Sequence, residues 1–193
     1  MTRIIAGDAG GIRLGVPDAG TRPTSDRVRE SLFGALTAAG VVTGAHVLDL
    51  YAGSGALGLE ALSRGARSVD LVERSRQAAA VLRRNAQKVS KALGGSADIR
   101  VHERSVREFL ARTERRFDLV FSDPPYILEN EEMTADLIAL TPRLAPGAVV
   151  VVERSRRAPQ PDFTAAGLTF SRERPYGDTT LWWAVHSEGD QSR

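Results

Sequence analysis

A carboxylate, two prolines and a tyrosine follow one another in the segment Asp123-Pro124-Pro125-Tyr126, shortly after the apolar run 119–121. The run indicates a buried strand, which would place Asp123 at its carboxyl end. Two consecutive prolines hold φ at about −65° and remove two N–H donors, so this backbone is stiff and its carbonyls lack local partners. A carboxylate, carbonyls and an aromatic plane suit a planar group that carries an NH2. We therefore predict that these four residues grip such a group and are catalytic.

A glycine-rich segment supplies a second candidate site. The segment from Asp49 to Gly58 contains Gly-x-Gly-x-x-Gly, beginning at Gly53 and Gly55, and Glu73 follows about 20 residues later. Such glycines let a backbone approach a ligand at a helix N-terminus, and the later acid can accept hydrogen bonds from a ribose. A dinucleotide would bring a pyrophosphate here, whereas S-adenosylmethionine brings an ammonium. The acid Asp49 favours the ammonium.

Alternating strands and helices position both segments. We predict parallel strands at 46–51, 68–73, 97–102, 117–122 and 148–153, with helices following the glycines through 62 and at 75–93, 106–112 and 131–144. Two further strands, 168–172 and 179–185, joined by 173–178, form a closing hairpin. The predicted fold class is α/β, a Rossmann-like, seven-stranded, doubly wound and mostly parallel sheet. Its first and fourth strands are neighbours, so both candidate segments meet in one crevice.

The chain before this sheet is predicted to form a hairpin, 3–7 with 12–16, a loop, and a helix that begins near 24–26 and ends at Gly40. We accordingly divide the chain into an extension at 1–40, a catalytic domain at 41–186 and a disordered tail at 187–193. Arg27 and Arg29 lie in the first turn of the helix, where the dipole disfavours cations. They indicate either an anionic neighbour or ordinary exposed arginines.

Composition excludes several classes of function. There is no cysteine among the 193 residues, so disulfides and thiolate metal sites are excluded. The three histidines, His46, His102 and His186, have no metal-ligand spacing, and we expect no metal. No signal-peptide core and no apolar run long enough for a membrane span occurs, so we expect a cytoplasmic protein. Neither a Gly-x-Ser-x-Gly elbow nor a Gly-Lys-Ser/Thr phosphate loop is found.

The charge is unevenly distributed although the net charge is only +2. Bases outnumber acids between Arg64 and Arg116, and acids outnumber bases from Phe117 onward. The basic region is either an electrostatic footprint for a polyanion or a solvated helical face. Charge alone leaves both interpretations open.

The sequence resembles the class I S-adenosylmethionine-dependent methyltransferases. It is most similar to the bacterial 16S ribosomal RNA guanine-N2 methyltransferases of the RsmD type. The resemblance extends from Arg3 to Val185 and rests on four segments, 3–7, 22–33, 49–58 and 123–126. Asp-Pro-Pro-Tyr is shared by amino-methyltransferases acting on adenine and guanine, whereas segment 22–33 is far more specific.

The resemblance implies a role for each segment. The cofactor S-adenosylmethionine would be bound by Asp49, Tyr51, Gly53, Gly55, Glu73, Arg74, Ser105, Val106 and Asp123. Asp123 and the Pro124 carbonyl would hold the target amine, and Tyr126 would stack on the flipped base. Segment 22–33, with Arg22, Thr24, Arg27 and Arg29, would roof the pocket and meet RNA. Ser105 and Val106 depart from the family, where Asp or Asn often binds the adenine amine, and so do the less basic residues 8–11.

The leading hypothesis is a monomeric enzyme that methylates the N2 amine of a guanine in 16S rRNA, with the small ribosomal subunit as partner. An adenine-N6 methyltransferase acting on DNA or RNA is the alternative, although 193 residues leave no room for a sequence-reading domain. A nicotinamide-dependent oxidoreductase is a distant third, because Asp123-Pro124-Pro125-Tyr126 has no place in it.

Overall fold

The computed structural model describes residues 2–17 and 25–187. Its strands are β1 (Thr2–Arg3), β2 (Arg13–Leu14), β3 (His46–Leu50), β4 (Ser68–Glu73), β5 (Asp98–Glu103), β6 (Phe117–Ser122), β7 (Leu144–Ser155), β8 (Thr169–Tyr176) and β9 (Thr179–Val185). Its α-helices are α1 (Asp26–Ala38), α2 (Ala56–Ser63), α3 (Arg76–Ala92), α4 (Val106–Arg112) and α5 (Asn130–Leu140), and a 3-10 turn follows at Thr141–Arg143.

Seven strands form one sheet in the order β5-β4-β3-β6-β7-β9-β8. The first five are mutually parallel, and β9 is antiparallel to both of its neighbours, β7 and β8. The predicted fold class is therefore confirmed. The predicted pairing of β3 with β6 is also observed, with Asp49 opposite Phe121 and Leu50 opposite Ser122. The carboxyl ends of these two strands consequently lie side by side.

Alternation along the strands divides the core into two halves. Val47, Leu119 and Phe121 belong to the cluster that also includes α1, α2 and α3 residues. Leu48 and Val120 belong to the opposite cluster, which includes α4 and α5 residues. Successive strand side chains point to opposite faces, so a strand covered on both sides must be apolar at nearly every position. Each face of the sheet is thus sealed by its own helices.

The paired strands of the N-terminal hairpin are shorter than predicted. Residues between them form hydrogen bonds with α2 instead of extending the β-ladder. The amides of Ile5 and Ala6 donate to the Glu60 carboxylate at 2.6 and 3.1 Å. Asp8 N donates to the Ser63 carbonyl at 2.8 Å, and Ala9 N donates to Ser63 Oγ at 2.9 Å. Helix α2 therefore carries the hairpin on one side and the glycine loop at its start.

Prolines explain two further differences from the predicted boundaries. Helix α5 stops at Leu140 rather than at 144, because Pro142 lacks the N–H that would continue the helical ladder. Strand β8 runs through Pro175 to Tyr176, which shortens the predicted connection to Gly177-Asp178. A proline is tolerated there because β8 is the edge of the sheet.

Within residues 2–17 and 25–187, no helix is both long and apolar enough to cross a membrane. The same residues contain no group of three or more His, Asp or Glu side chains placed to hold a metal ion.

Candidate functional site

The glycine loop between β3 and α2 depends on its missing side chains. Gly53 and Gly55 have φ of 53° and 79°, in the left-handed region that favours glycine. A Cβ on Gly55 would lie 2.5 Å from Leu82 Cδ1, and one on Gly58 would lie 2.5 Å from Leu71 Cδ2. The first two glycines thus shape the turn, and the third lets α2 pack closely on β4.

Asp49 lies beneath this loop, with 2 % of its surface exposed. Its Oδ2 accepts a hydrogen bond from Gly58 N at 2.9 Å, which lowers the pKa of the carboxyl, and the charge of Glu73 raises it. Burial is the largest effect and raises the pKa to about 7. A buried carboxylate with one hydrogen bond is suited to a cationic partner.

Glu73 ends β4 and faces the same loop. Its Oε2 accepts from Gly53 N at 3.0 Å, and its Oε1 accepts from Ser75 N at 2.7 Å. The carboxylate is therefore held in one orientation by backbone amides on both sides. Each of its oxygens retains a lone pair that could accept from a ribose hydroxyl.

Asn85 is a site-supporting residue that the sequence reasoning missed. Its Nδ2 donates to the carbonyls of Ser54 and Gly15 at 2.8 and 2.9 Å, and its Oδ1 accepts from Gly15 N at 2.8 Å. The side chain is buried and joins α3, the glycine loop and the hairpin. The available signal was one amide on the otherwise apolar face of α3.

Tyr51 follows β3 with φ of 61°, a conformation that a bulky residue adopts at a cost. Its hydroxyl donates to buried Asp136 of α5, and Arg107 Nε donates to the other oxygen of Asp136 at 3.3 Å. Burial and the neighbouring carboxylate raise the pKa of Tyr51 above its usual range. Asp136 and Arg107 were not singled out in the sequence, since their pairing with Tyr51 requires knowledge of how α4 and α5 pack.

A cavity of about 300 Å³ opens beside Tyr51. It is lined by Tyr51, Arg74, Ser105, Val106, Arg107, Pro125, Ile127, Leu128, Glu132 and Asp136. The structure thus brings together predicted residues that follow four separate strands, β3, β4, β5 and β6. Ser105 caps α4 by accepting from Glu108 N at 3.3 Å, while its own hydroxyl donates to the Glu108 carboxylate at 2.7 Å. Its hydroxyl is consequently committed to the helix.

The Asp-Pro-Pro-Tyr segment leaves the sheet where β6 ends at Ser122. Pro124 is buried, whereas 57 % of Tyr126 is exposed. Leu128 N donates to the Pro125 carbonyl at 2.9 Å, and an Arg154 guanidinium nitrogen donates to the Leu128 carbonyl at 3.0 Å. Arg154, another residue missed in the sequence, has its pKa lowered by burial. The loop that follows the segment is therefore braced on β7, and the Tyr126 side chain is partly exposed.

The predicted RNA-facing residues fall into three groups. Arg22 and Thr24 lie outside the described residues, as do positions 188–193 of the predicted tail. Arg27 is exposed. Arg29 is wholly buried, donating to Asp26 at 2.7 Å and to the Arg3 carbonyl at 2.8 Å, and its other nitrogen lies 3.8 Å from Glu60. The prediction that Arg29 meets RNA is wrong, because its anionic neighbours are carboxylates of this chain.

Residues 2–185 match a protein family described as "Conserved hypothetical protein 95". The ribosomal RNA small subunit methyltransferase D of Escherichia coli strain K12 is 43 % identical over 152 residues, 78 % of this chain and 73 % of that protein. The protein of the same name from Haemophilus influenzae is 35 % identical over 178 residues, 91 % of this chain and 89 % of its own length. This chain belongs to the methyltransferase D family.

Solved structures agree with this membership. A putative methyltransferase, yhhF from Escherichia coli, superposes with a TM-score of 0.79 at 36 % identity, over 97 % of this chain and 99 % of its own. A magnesium protoporphyrin IX methyltransferase from Synechocystis, solved with bound SAM, has a TM-score of 0.65 at 19 % identity, over 83 % of this chain and 79 % of its own. That second likeness shows the fold alone. The resemblance of the sequence to the methyltransferase D family is confirmed.

Proposed function

We propose that this protein transfers a methyl group from S-adenosylmethionine to the exocyclic N2 amine of a guanine in 16S rRNA. The observation that carries the proposal is the pairing of β3 with β6. It brings the loop above Asp49 beside the Asp123–Tyr126 segment at one edge of the sheet. Relatives that are 43 % and 35 % identical and are named ribosomal RNA small subunit methyltransferase D support the substrate class.

The residues around the glycine loop fit S-adenosylmethionine better than a dinucleotide. Buried Asp49 is complementary to the cofactor's ammonium and would repel a pyrophosphate. A Cβ on Gly53 would have only the Tyr51 carbonyl within 4 Å, so this glycine leaves the surface open to the methionine part, and the fixed carboxylate of Glu73 would accept from the ribose hydroxyls. When bound, the cofactor supplies a methyl group already activated by a sulfonium.

The cavity of about 300 Å³ beside Tyr51 is the proposed place for the adenine. Arg74 and Val106 offer flat or apolar contact to its faces. Because the Ser105 hydroxyl is held by Glu108, we expect the base to be recognised by shape and backbone more than by this side chain. Asp123, which borders both proposed ligands, completes the predicted cofactor set.

The acceptor amine is proposed to lie between Asp123 and the Pro124 carbonyl. A guanine amine is a poor nucleophile because its lone pair is delocalised into the ring. Two acceptors on its N–H groups favour a pyramidal nitrogen with the lone pair directed at the methyl group. As the nitrogen takes up the methyl group it loses one proton, which Asp123 is placed to accept or pass to water.

Tyr126 and Pro125 are proposed to hold the ring of the target guanine. An exposed, braced tyrosine offers a stacking face, worth about 1–3 kcal/mol per base. The base must leave its own stack to reach the pocket, at about a few kcal/mol, which a loop or partly opened RNA reduces. Arg27, exposed in the first turn of α1, and Arg22 and Thr24 are proposed to contact RNA.

The proposal is tested by identifying the methylated nucleoside. Wild-type protein is incubated with radiolabelled S-adenosylmethionine and, separately, small ribosomal subunits, 16S rRNA or duplex DNA. We expect N2-methylguanosine in RNA only. Methyladenine in either nucleic acid would support the adenine-N6 alternative instead. A nicotinamide-dependent reaction is disfavoured by Asp49 in the position where a pyrophosphate would bind.

A further inference from the structure

A tight turn at the end of β7 carries two arginines, Arg156 and Arg157, at the carboxyl ends of the parallel strands. Three hydrogen bonds fix its backbone. Ala158 N donates to the Ser155 carbonyl at 2.9 Å, Arg157 N donates to Ser155 Oγ at 3.4 Å, and Arg156 N donates to the Asp178 carbonyl at 2.8 Å. We call residues 155–158 the β7 exit turn. These bonds fix the backbone positions from which the two side chains extend.

The side chains of Arg156 and Arg157 are exposed and have no hydrogen-bond or ion-pair partner among the described residues. Many arginines of the basic region 64–116 differ in this respect. Their partners are protein carboxylates, in the pairs Arg64–Glu60, Arg83–Glu103, Arg100–Asp98, Arg107–Asp136 and Arg115–Asp70. Part of the positive charge that the sequence locates in 64–116 is thus neutralised within the protein.

The exit turn lies on the same side of the sheet as Asp123. Strand β7 is parallel to β6, with Val152 opposite Ser122, so both strands leave the sheet in the same direction. Arg156 follows Val152 by four residues, which places its backbone roughly 13 Å farther along the strand. Arg154, between them, braces Leu128 in the loop that carries Tyr126. The arginines therefore project beyond the base pocket, where neighbouring nucleotides of a bound strand would lie.

An open cavity of about 670 Å³ adjoins the turn. Ser155, Arg156, Arg157, Gly177 and Asp178 line it. Two guanidinium groups and one carboxylate give this surface a net positive charge. A guanidinium presents paired N–H donors that match phosphate oxygens, and two of them side by side suit a polyanionic backbone.

We propose that the β7 exit turn binds the phosphate backbone of the substrate RNA next to the target nucleotide. This inference rests on the proposed function for its partner, RNA, and adds the residues that hold the strand. Arg156 and Arg157 act by positioning and do not touch the reacting atoms. The bases are not read by this contact, so it contributes affinity rather than sequence selectivity.

The salt dependence of RNA binding tests the proposal. Each phosphate contact contributes about 0.7 to 0.9 to the slope of log affinity against log salt concentration. The double variant Arg156→Ala/Arg157→Ala should therefore bind a 16S rRNA transcript with a slope shallower by about 1.5 than wild type. In steady-state methylation it should raise KM for RNA at least several-fold and leave kcat within about twofold of wild type.

The matched control is Arg67→Ala/Arg112→Ala, which removes the same charge from two exposed arginines that have no side-chain partner among the described residues. Arg67 precedes β4 and Arg112 ends α4, so both lie at the amino ends of the parallel strands, on the side of the sheet away from Asp123. We expect the control to change the slope by less than about 0.5. Calorimetry with S-adenosylmethionine, unchanged in both variants, shows that the fold is intact.

A slope equal to that of wild type in the exit-turn variant, or an equal reduction in the control, overturns the proposal. These outcomes are separate from failure of the proposed function, because binding is measured without methyl transfer. If wild type methylates guanine N2 and the slope does not change, the inference alone fails. If the slope falls but no RNA is methylated, the surface is retained and the proposed function fails.

Discussion

Asp49 is subject to two opposed demands. Its burial raises the pKa of the carboxyl to about 7, so in the free protein near neutral pH the charged form is held at a cost in stability. The same charged form is the one that an ammonium group would bind. A residue placed for binding is thus a source of instability until its ligand is present.

Replacing Asp49 with Asn should stabilise the cofactor-free protein in a pH-dependent way. The unfolded carboxyl ionises at a pKa of about 3.9, so between about pH 4 and 7 the native state holds a proton that the unfolded state has lost. Wild-type stability therefore falls with rising pH across this window, relative to Asp49→Asn, and the difference stays constant above it. Urea unfolding of both proteins from pH 4 to 8 should show a gap that grows to at most about 4 kcal/mol.

A gap that is the same at every pH would contradict the assignment of the raised pKa to Asp49. The variant should also bind S-adenosylmethionine at least tenfold more weakly by calorimetry, because its amide cannot neutralise an ammonium. Gly58 N retains an acceptor in the asparagine side chain, so the local backbone is preserved.

Variants of Asp123 and Tyr126 separate chemistry from stacking. Asp123→Ala should abolish methylation and leave cofactor affinity largely intact, since its main proposed contact is the amine. Tyr126→Ala should lose about 1–3 kcal/mol of RNA stacking, and Tyr126→Phe should behave nearly as wild type. The measurements are methylation kinetics and calorimetry with S-adenosylmethionine. A Phe variant as inactive as Ala would show that the hydroxyl, and not the ring, is needed.

At the scale of elements, a buried ionic cluster joins α1, α2 and the N-terminal hairpin. Arg29 of α1 donates to Thr2 Oγ1 at 2.7 Å and faces Glu60 of α2, which also binds hairpin amides. Two of the Arg29 nitrogens have no hydrogen-bond partner among the described residues. The cluster therefore fixes where three elements meet, although its charges are costly to bury.

Removing Arg29 should destabilise this junction. Arg29→Ala leaves Glu60 buried with less compensation, and we expect a loss of about 3 kcal/mol in the free energy of urea unfolding. Arg27→Ala, two residues earlier on the exposed surface, is the control and should change stability by less than about 0.5 kcal/mol. Similar small effects from both variants would mean that Arg64, which also binds Glu60 at 2.7 Å, suffices alone.

The sheet was predictable because its information is local. Strands β3 to β6 and β9 begin and end within one residue of the predictions, since apolar runs bounded by glycine, proline or charge are visible in the sequence. The same holds for the convergence of Asp49, Gly53, Gly55 and Glu73 around one loop, which follows from their spacing in the sequence. The contacts that were predicted wrongly or missed depend on tertiary packing. No spacing shows that Arg29 turns inward to Glu60, or that Asp136 and Arg107 converge on Tyr51.

At the scale of the whole molecule, few exposed positive charges lie at the carboxyl ends of the strands, where the candidate site is. Many arginines form ion pairs within the protein, which leaves Arg74, Arg76, Arg156 and Arg157 exposed without side-chain partners among the described residues at the carboxyl ends of the strands. Such a small cationic surface would hold flexible RNA weakly. A rigid particle that already presents its loop removes the cost of ordering the RNA.

We therefore expect assembled small subunits to be better substrates than naked 16S rRNA. The ratio kcat/KM should be at least tenfold higher for subunits, with the difference mainly in KM. Steady-state methylation of both substrates, at one salt concentration, measures it. Equal values would show that the protein recognises the RNA alone.

The order of strands in the sheet has a consequence for synthesis of the chain. Strand β9 is made after β7 and β8, yet it lies between them and bonds to both. Until Thr179–Val185 is available, the apolar strand β7 is an open edge that can pair with another chain. Before β9 pairs with β7, the chain is thus expected to be prone to aggregation, for a time that depends on how quickly this pairing forms. Any delay in the pairing of β9 with β7 therefore favours aggregation over folding.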